Sequence, residues 1–199
     1  MPAGVPPLAS SGVFSVGAAL VIDAPRDAVW AALLDFAAYK EWNAFVYSLF
    51  FSPPLVVFLT PPSRNQTVLS PSGAPSPDPP AAGHTLLISP VHLPPTMGAP
   101  GRFQAQQARV VITALDAGQF RAAWETEPSW LLPRWLLHAE RWQMLTEVVE
   151  DGRVKTRYES IEVFNGVLAW VVKWVQGRNL ELGVKAMAEG LKRWVEEPR

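Results

Sequence analysis

The chain reads as an α+β protein in which a curved antiparallel sheet closes around one long C-terminal helix. Three observations predict it. Long runs of alternating polarity follow Gly101, and Asp151-Gly152 sits between two of them as a hairpin signal. From Gly166 to Glu197 the pattern turns helical, with Leu180, Val184, Met187, Leu191 and Trp194 on one stripe and Lys185, Glu189, Lys192 and Arg193 on the other side. A strongly curved sheet needs a filler on its concave face, and the terminal helix is the only element long enough.

Taken in order, Phe14, Val16, Ala18, Leu20 and Ile22 alternate with smaller or polar residues and predict a strand buried mainly on one face. Asp23-Ala24-Pro25 breaks it, with Asp23 as a candidate helix cap and Pro25 suited to a first helical turn. Val29, Trp30, Leu33, Leu34 and Phe36 follow at helical spacing, residues 39–43 make a second short helix or turn, and residues 45–51 make the next strand. Residues 53–100 hold 13 of the 20 prolines. Proline removes ladder donors, so most of this region is expected to lie outside the sheet, with residues 84–89 (HTLLIS) its one strand. The stretch from Pro61 to Gly83 is expected to be a flexible excursion outside the core. Strands are then expected over residues 103–115, 119–127, 137–149 and 153–164. The domain reading is an N-terminal tail at 1–12 and one domain at 13–197 carrying a Pro-rich insertion at about 53–83.

Composition narrows the partners. A 49% hydrophobic and 18% charged chain is too apolar for disorder, and nine Trp and nine Phe need a core, a pocket or an interface to cover them. A net charge of −1 gives no field to attract nucleic acid. The absence of cysteine removes disulfides, thiolate metal sites and cysteine nucleophiles, and three widely spaced histidines do not suggest a metal site. The sequence carries no phosphate-cradling glycine loop and no metal-ligand cluster, so neither a metal nor a nucleotide or flavin cofactor is expected. Residues 1–12 lack a basic n-region and an apolar h-region, and the longest apolar stretch, 167–175, is interrupted by Lys173 and far short of the roughly 20 residues of a membrane span. A cytoplasmic protein is expected.

Several strings resemble the SRPBCC superfamily, the helix-grip fold of START lipid-transfer domains, the birch-pollen allergen and polyketide cyclases. The most specific is the opening Ile22-Asp23-Ala24-Pro25, Ala28-Val29-Trp30, Leu34-Asp35-Phe36, Tyr39 and Glu41-Trp42-Asn43-Ala44-Phe45, with Ala44 where proline is usual. Val110 to Leu115, the turn Asp116-Ala117-Gly118 and Phe120 to Trp124 are similar to the family's hairpin, and Gly183 to Lys192 to its C-terminal helix motif. Glu140 stands where a family strand carries a cavity histidine. The resemblance covers about residues 13–196 outside the insertion and implies an apolar ligand cavity, in members that range from carriers to cyclases and dehydratases.

Strand parity then supplies candidate site residues. If Trp142 and Met144 face inward, Glu140 and His138 share that face. Phe120 and Trp124 on the preceding strand, Tyr158 and Ser160 on the following one, and Met187 on the terminal helix complete the expected lining. Trp170 and Trp174, with Trp130 and Trp135, form an expected apolar rim: a gate for a ligand, a membrane-touching or dimer surface, or simply mutual packing. Glu140 is the candidate catalytic residue, because desolvation in an apolar cavity would raise its pKa toward neutrality. Against this stands pairing with Arg109 or Arg141, or a place at the cavity mouth. The first functional reading is a binding module for a hydrophobic, lipid-like or polycyclic molecule, as a monomer or homodimer. The alternatives are a cofactor-independent cyclase, dehydratase or isomerase using Glu140, and a lipid-transfer or membrane-docking protein.

Overall fold

The structure, a computed structural model, describes residues 5–44, 65–69, 73–76, 78–92 and 105–197. Among these residues seven antiparallel strands form one sheet in the order β1-β7-β6-β5-β4-β3-β2. They are β1 (Phe14–Ile22), β2 (Asn65–Leu69), β3 (Thr85–His92), β4 (Ala105–Asp116), β5 (Arg121–Thr126), β6 (His138–Glu150) and β7 (Arg153–Asn165). Helices α1 (Arg26–Leu34) and α2 (Tyr39–Trp42) follow β1, and α3 (Ala169–Glu196) closes the chain. Bulges between Ile88 and Val91 and between Ile112 and Ala114 break the register of β3–β4 and β4–β5, and such irregularities bend a sheet.

The helix α3 lies chiefly across β1. Its stripe Leu180, Val184, Met187 and Leu191 is wholly buried, against Phe14, Val16 and Ile22. Phe14 and Phe164, opposite each other on β1 and β7, stack with ring centroids 4.4 Å apart. The far end of α3 is tied to β1 by polar contacts: Lys192 Nζ donates to the Val21 carbonyl at 2.6 Å, and the Asp23 N–H donates to Glu196 Oε1 at 2.6 Å. Gly190 brings α3 so close to α2 that a Cβ there would lie 2.5 Å from the Trp42 carbonyl oxygen.

Two expectations need correction. Asp23 does not cap α1; Pro25 holds the N-cap position without a side-chain bond, and Asp23 pairs with Arg153 at 3.0 Å. The stretch from Pro61 to Gly83 contributes to the core, because β2 pairs with β3 and buries Val68 and Leu69. Five residues flanked by prolines give too short a pattern to read from sequence, and the burial against neighbours that makes them a strand is tertiary. The strand expected over 45–51 lies outside the described residues.

Candidate functional site

The site is built by the β6–β7 hairpin. Asp151 and Gly152 both take positive φ, 54° and 73°, the geometry of a two-residue hairpin turn whose twist suits its strands. Such a turn places Glu150 opposite Arg153 and fixes every later pair, so that Leu145 faces Tyr158, Gln143 faces Ser160 and Arg141 faces Glu162. Directly opposed residues share a face of the sheet. Three neighbouring rows at the middle of the inner face, the one turned toward α3, form the site. One runs Leu20–Tyr158–Leu145, the next Ala18–Ser160–Gln143–Ala122, and the third Val16–Glu162–Arg141–Trp124–Ile112.

Within these rows the polar members cluster at the centre of the sheet and are buried: Arg141 and Glu162 at 3% exposure each, Ser160 at 4%, Gln143 and Tyr158 at 0%. The Tyr158 hydroxyl donates to Gln143 Oε1 at 2.6 Å, and Arg141 Nε–H donates to Ser160 Oγ at 3.2 Å. Gln143 Nε2 is buried with no hydrogen-bond partner among the described residues. The ring of Tyr39, on α2, adds a further buried phenol, its hydroxyl bonded to the Leu33 carbonyl at 2.6 Å. Both phenols have pKa values raised above the usual tyrosine range, first by desolvation. For Tyr39 the neighbouring Tyr158 pushes further up while Arg141 pulls down; for Tyr158, Arg141 and the Ser160 hydroxyl pull down. Around the strip lie apolar rings. Phe36 meets Tyr39 edge-on at 5.5 Å and Trp124 at 6.4 Å, and Tyr39 packs on Trp42 at 4.5 Å.

Burying five polar groups in one strip is costly unless they are paired or used. The strip offers a guanidinium, a carboxylate, an amide with a spare N–H and a phenol within an aromatic surround. Such a set can hold the carbonyl or amide end of an otherwise apolar molecule, or steady charge that develops on it. Among the described residues no cluster of three or more His, Asp or Glu is arranged to hold a metal ion.

The sequence-derived candidates divide between the two faces. Trp124, Tyr158 and Ser160 lie on the inner face, and Met187 is buried on α3. Phe120 is half-buried beside the strip at positive φ of 50°, edge-on to Trp30 at 5.7 Å and beneath the Arg26 guanidinium at 4.0 Å. His138, Glu140, Trp142 and Met144 are on the outer face, opposite to expectation. There Glu140 accepts the Trp142 indole N–H at 2.7 Å and stands directly across from Glu125, which pairs with Arg134. His138 approaches Glu125 at 3.7 Å, and burial lowers its pKa more than that carboxylate raises it. Met144 lines an open groove with Leu8, Ala19 and Ile161. Trp170 and Trp174 project from α3 at 63% and 88% exposure, away from the strip. The residues the sequence reading missed are Arg141, Gln143, Glu162 and Tyr39. The signal for the first three was available: with a two-residue turn at Asp151-Gly152, Tyr158 and Trp142 cannot share a face.

No protein-family model matches the chain. A curated relative, oxopyrrolidines biosynthesis cluster protein O of Penicillium oxalicum, is 27% identical over 96% of this chain and 90% of its own length. The solved structure of TTHA0849 from Thermus thermophilus superposes with a TM-score of 0.57 at 12% identity, covering 91% of this chain and 96% of that one. The Zhui aromatase/cyclase from a Streptomyces species superposes with a TM-score of 0.51 at 13% identity over 92% and 95% of the two chains.

Proposed function

The chain has the helix-grip fold of the START, or SRPBCC, superfamily, and from that premise we propose that it binds a hydrophobic small molecule between the inner face of its sheet and its helices. The polar end of that molecule sits on the strip Arg141–Gln143–Tyr158–Ser160–Glu162. The observation that carries this reading is the unpartnered amide nitrogen of Gln143, Nε2, in a fully buried side chain at the centre of a strip enclosed by aromatic rings. An apolar site with a few convergent polar groups is the usual construction of a small-molecule pocket. The Penicillium relative belongs by name to an oxopyrrolidine biosynthesis cluster. An oxopyrrolidine ring presents a carbonyl acceptor beside an N–H donor, and Gln143 Nε2 with the neighbouring carboxylate of Glu162 matches that pair. A pyrrolidin-2-one bearing a benzyl group is therefore the first ligand to test.

A second reading, an enzyme of the cyclase type, is favoured by the buried opposition of Arg141 and Glu162. Burying a guanidinium and a carboxyl group in an apolar core adds little stability, and buried ionisable groups concentrate at functional sites. In this reading Glu162, rather than Glu140, is the carboxylate that holds or moves a proton.

Calorimetric titration of the full chain with 5-benzylpyrrolidin-2-one tests the proposal. Gln143→Leu is expected to weaken binding about tenfold, the effect of one lost hydrogen bond of roughly 1.4 kcal/mol. Equal affinity in the wild type, Gln143→Leu and Tyr158→Phe would remove the strip from ligand recognition. Turnover that survives Gln143→Leu but not Glu162→Gln would decide for the enzyme.

A further inference from the structure

The described residues expose four of the nine tryptophans to a large degree, and all four lie in two neighbouring segments. Trp130 (88% exposed) and Trp135 (69%) belong to the β5–β6 loop; Trp170 (63%) and Trp174 (88%) belong to the first two turns of α3. The segments are joined by backbone hydrogen bonds, from Val167 N–H to the Trp135 carbonyl at 3.2 Å and from Leu168 N–H to the Leu136 carbonyl at 2.9 Å. Val167, Val171 and Val175, at and just before the start of α3, are each more than 40% exposed as well. The start of α3 is thus apolar on both sides. Ala169 and Val172 face the core, while the tryptophans and valines face outward where a water-exposed helix carries polar residues. A patch of this kind marks an interaction site.

Its charge selects the occupant. Residues 128–139 and 163–180 contain Arg134, Lys173 and Arg178 and no Asp or Glu, and Glu181, the next residue of α3, is paired with Lys185 at 2.7 Å. Arg134 is engaged with Glu125, which leaves Lys173 and Arg178 as exposed cations, and the Lys173 ammonium sits 5.7 Å from the Trp170 ring centre. Projecting tryptophans, β-branched apolar residues beside them and flanking cations without acids are the composition of surfaces that lie in the headgroup region of an anionic bilayer. No described helix is long and apolar enough to cross a membrane, so the contact is a docking one.

We propose that the β5–β6 loop and the first two turns of α3 form a surface that docks reversibly on an anionic membrane, with Trp130, Trp135, Trp170 and Trp174 seated at the headgroup boundary. Indole rings supply the apolar area, and Lys173 and Arg178 meet the lipid charge. The proposal does not depend on which molecule the inner strip holds.

The test is flotation of the full chain with phosphatidylcholine vesicles containing about 30% phosphatidylserine, against vesicles of phosphatidylcholine alone. The wild type is expected to float with the anionic vesicles and to be released by high salt. Trp170→Ser/Trp174→Ser should bind roughly tenfold more weakly or worse. These side chains are exposed, so that variant should melt at the wild-type temperature; Trp135→Ser on the loop gives a second variant independent of the helix. Lys173→Gln/Arg178→Gln should lose the preference for anionic vesicles while keeping weak binding to neutral ones. A chain that stays unbound with both vesicle types, or floats equally well without its tryptophans, would overturn the proposal. So would a concentration-dependent dimer, seen by light scattering, that the tryptophan variants convert to monomer: the patch would then bind a second copy of the chain.

Discussion

Two glycines of α3 should respond to one substitution with opposite signs. In a helix interior Gly→Ala ordinarily stabilises by about 1 kcal/mol, because alanine has less backbone freedom to lose. At Gly177 nothing lies within 4 Å of the position a Cβ would take, so that gain is unopposed. At Gly190 the new methyl would meet the Trp42 carbonyl oxygen at 2.5 Å, the Trp42 carbonyl carbon at 3.5 Å and the indole Cε3 at 3.3 Å. The nearest atom is backbone, so no rotamer change relieves the contact, and Trp42 is itself buried against Tyr39. Forcing α2 from α3 carries the cost of overpacking, about 1–3 kcal/mol. Set against the helical gain, Gly190→Ala should come out destabilising by up to about 2 kcal/mol, while Gly177→Ala should gain about 0.5–1 kcal/mol. Urea unfolding with matched m-values reads both. Because α2 carries Tyr39 toward Tyr158 and Arg141, Gly190→Ala should also weaken binding of the benzylpyrrolidinone while Gly177→Ala leaves it intact. Equal stabilisation by the two substitutions would refute the seating of α2 on α3.

Alkaline pH should unfold the protein through its buried phenols. The pKa values of Tyr39 and Tyr158 are raised above 10.0 in the fold, so their contribution is complete below pH 10 and is lost as pH rises through the folded values. Stability measured from about pH 8 to 11 should fall less steeply in Tyr158→Phe, and an unchanged slope would contradict the burial of that hydroxyl. Replacing residues 61–83 with a short Gly-Ser link should lower the melting temperature by about 10 °C, since the β2 ladder and the burial of Val68 and Leu69 go with it. A melting temperature within a few degrees of the wild type would show that β2 adds nothing to the core.

The scaffold was more legible than the site, for a physical reason visible on β6. Period-two alternation and the Asp-Gly turn locate the strand, but they do not say which face is inside when both faces carry large apolar and polar residues. Ala139, Arg141, Gln143 and Leu145 share one face; Glu140, Trp142 and Met144 share the other. Side-chain size points to Trp142 as the residue facing the helices; Trp142 is indeed buried, at 3% exposure, but on the outer face, whereas the inner face carries Arg141 and Gln143, against the usual preference for apolar groups. The inversion is itself informative, since local rules tend to fail where a chain carries function. The turn register resolves it. On β7, where Thr156, Tyr158 and Ser160 oppose Arg157 and Glu159, the contrast between faces is sharp and the inner face was readable. β2 was lost for another reason: NQTVL has two buried apolar residues and no alternation to distinguish it from loop.

The position of β1 at the edge of the sheet has a consequence for the birth of the molecule. Its ladder runs from Phe14 opposite Phe164 to Ile22 opposite Thr156, so the first strand made pairs with the last. Until β7 and α3 have left the ribosome, the apolar side of β1 has neither its ladder nor its helix. β2 through β6 can assemble as successive neighbours in that interval. Closure of so distant a contact is slow compared with local pairing, and a nascent chain with an unpaired, half-apolar strand is open to association with others like it. The grip of α3 on β1 is therefore a final act of folding, and a chain stalled before residue 164 should need a chaperone to stay apart from its neighbours.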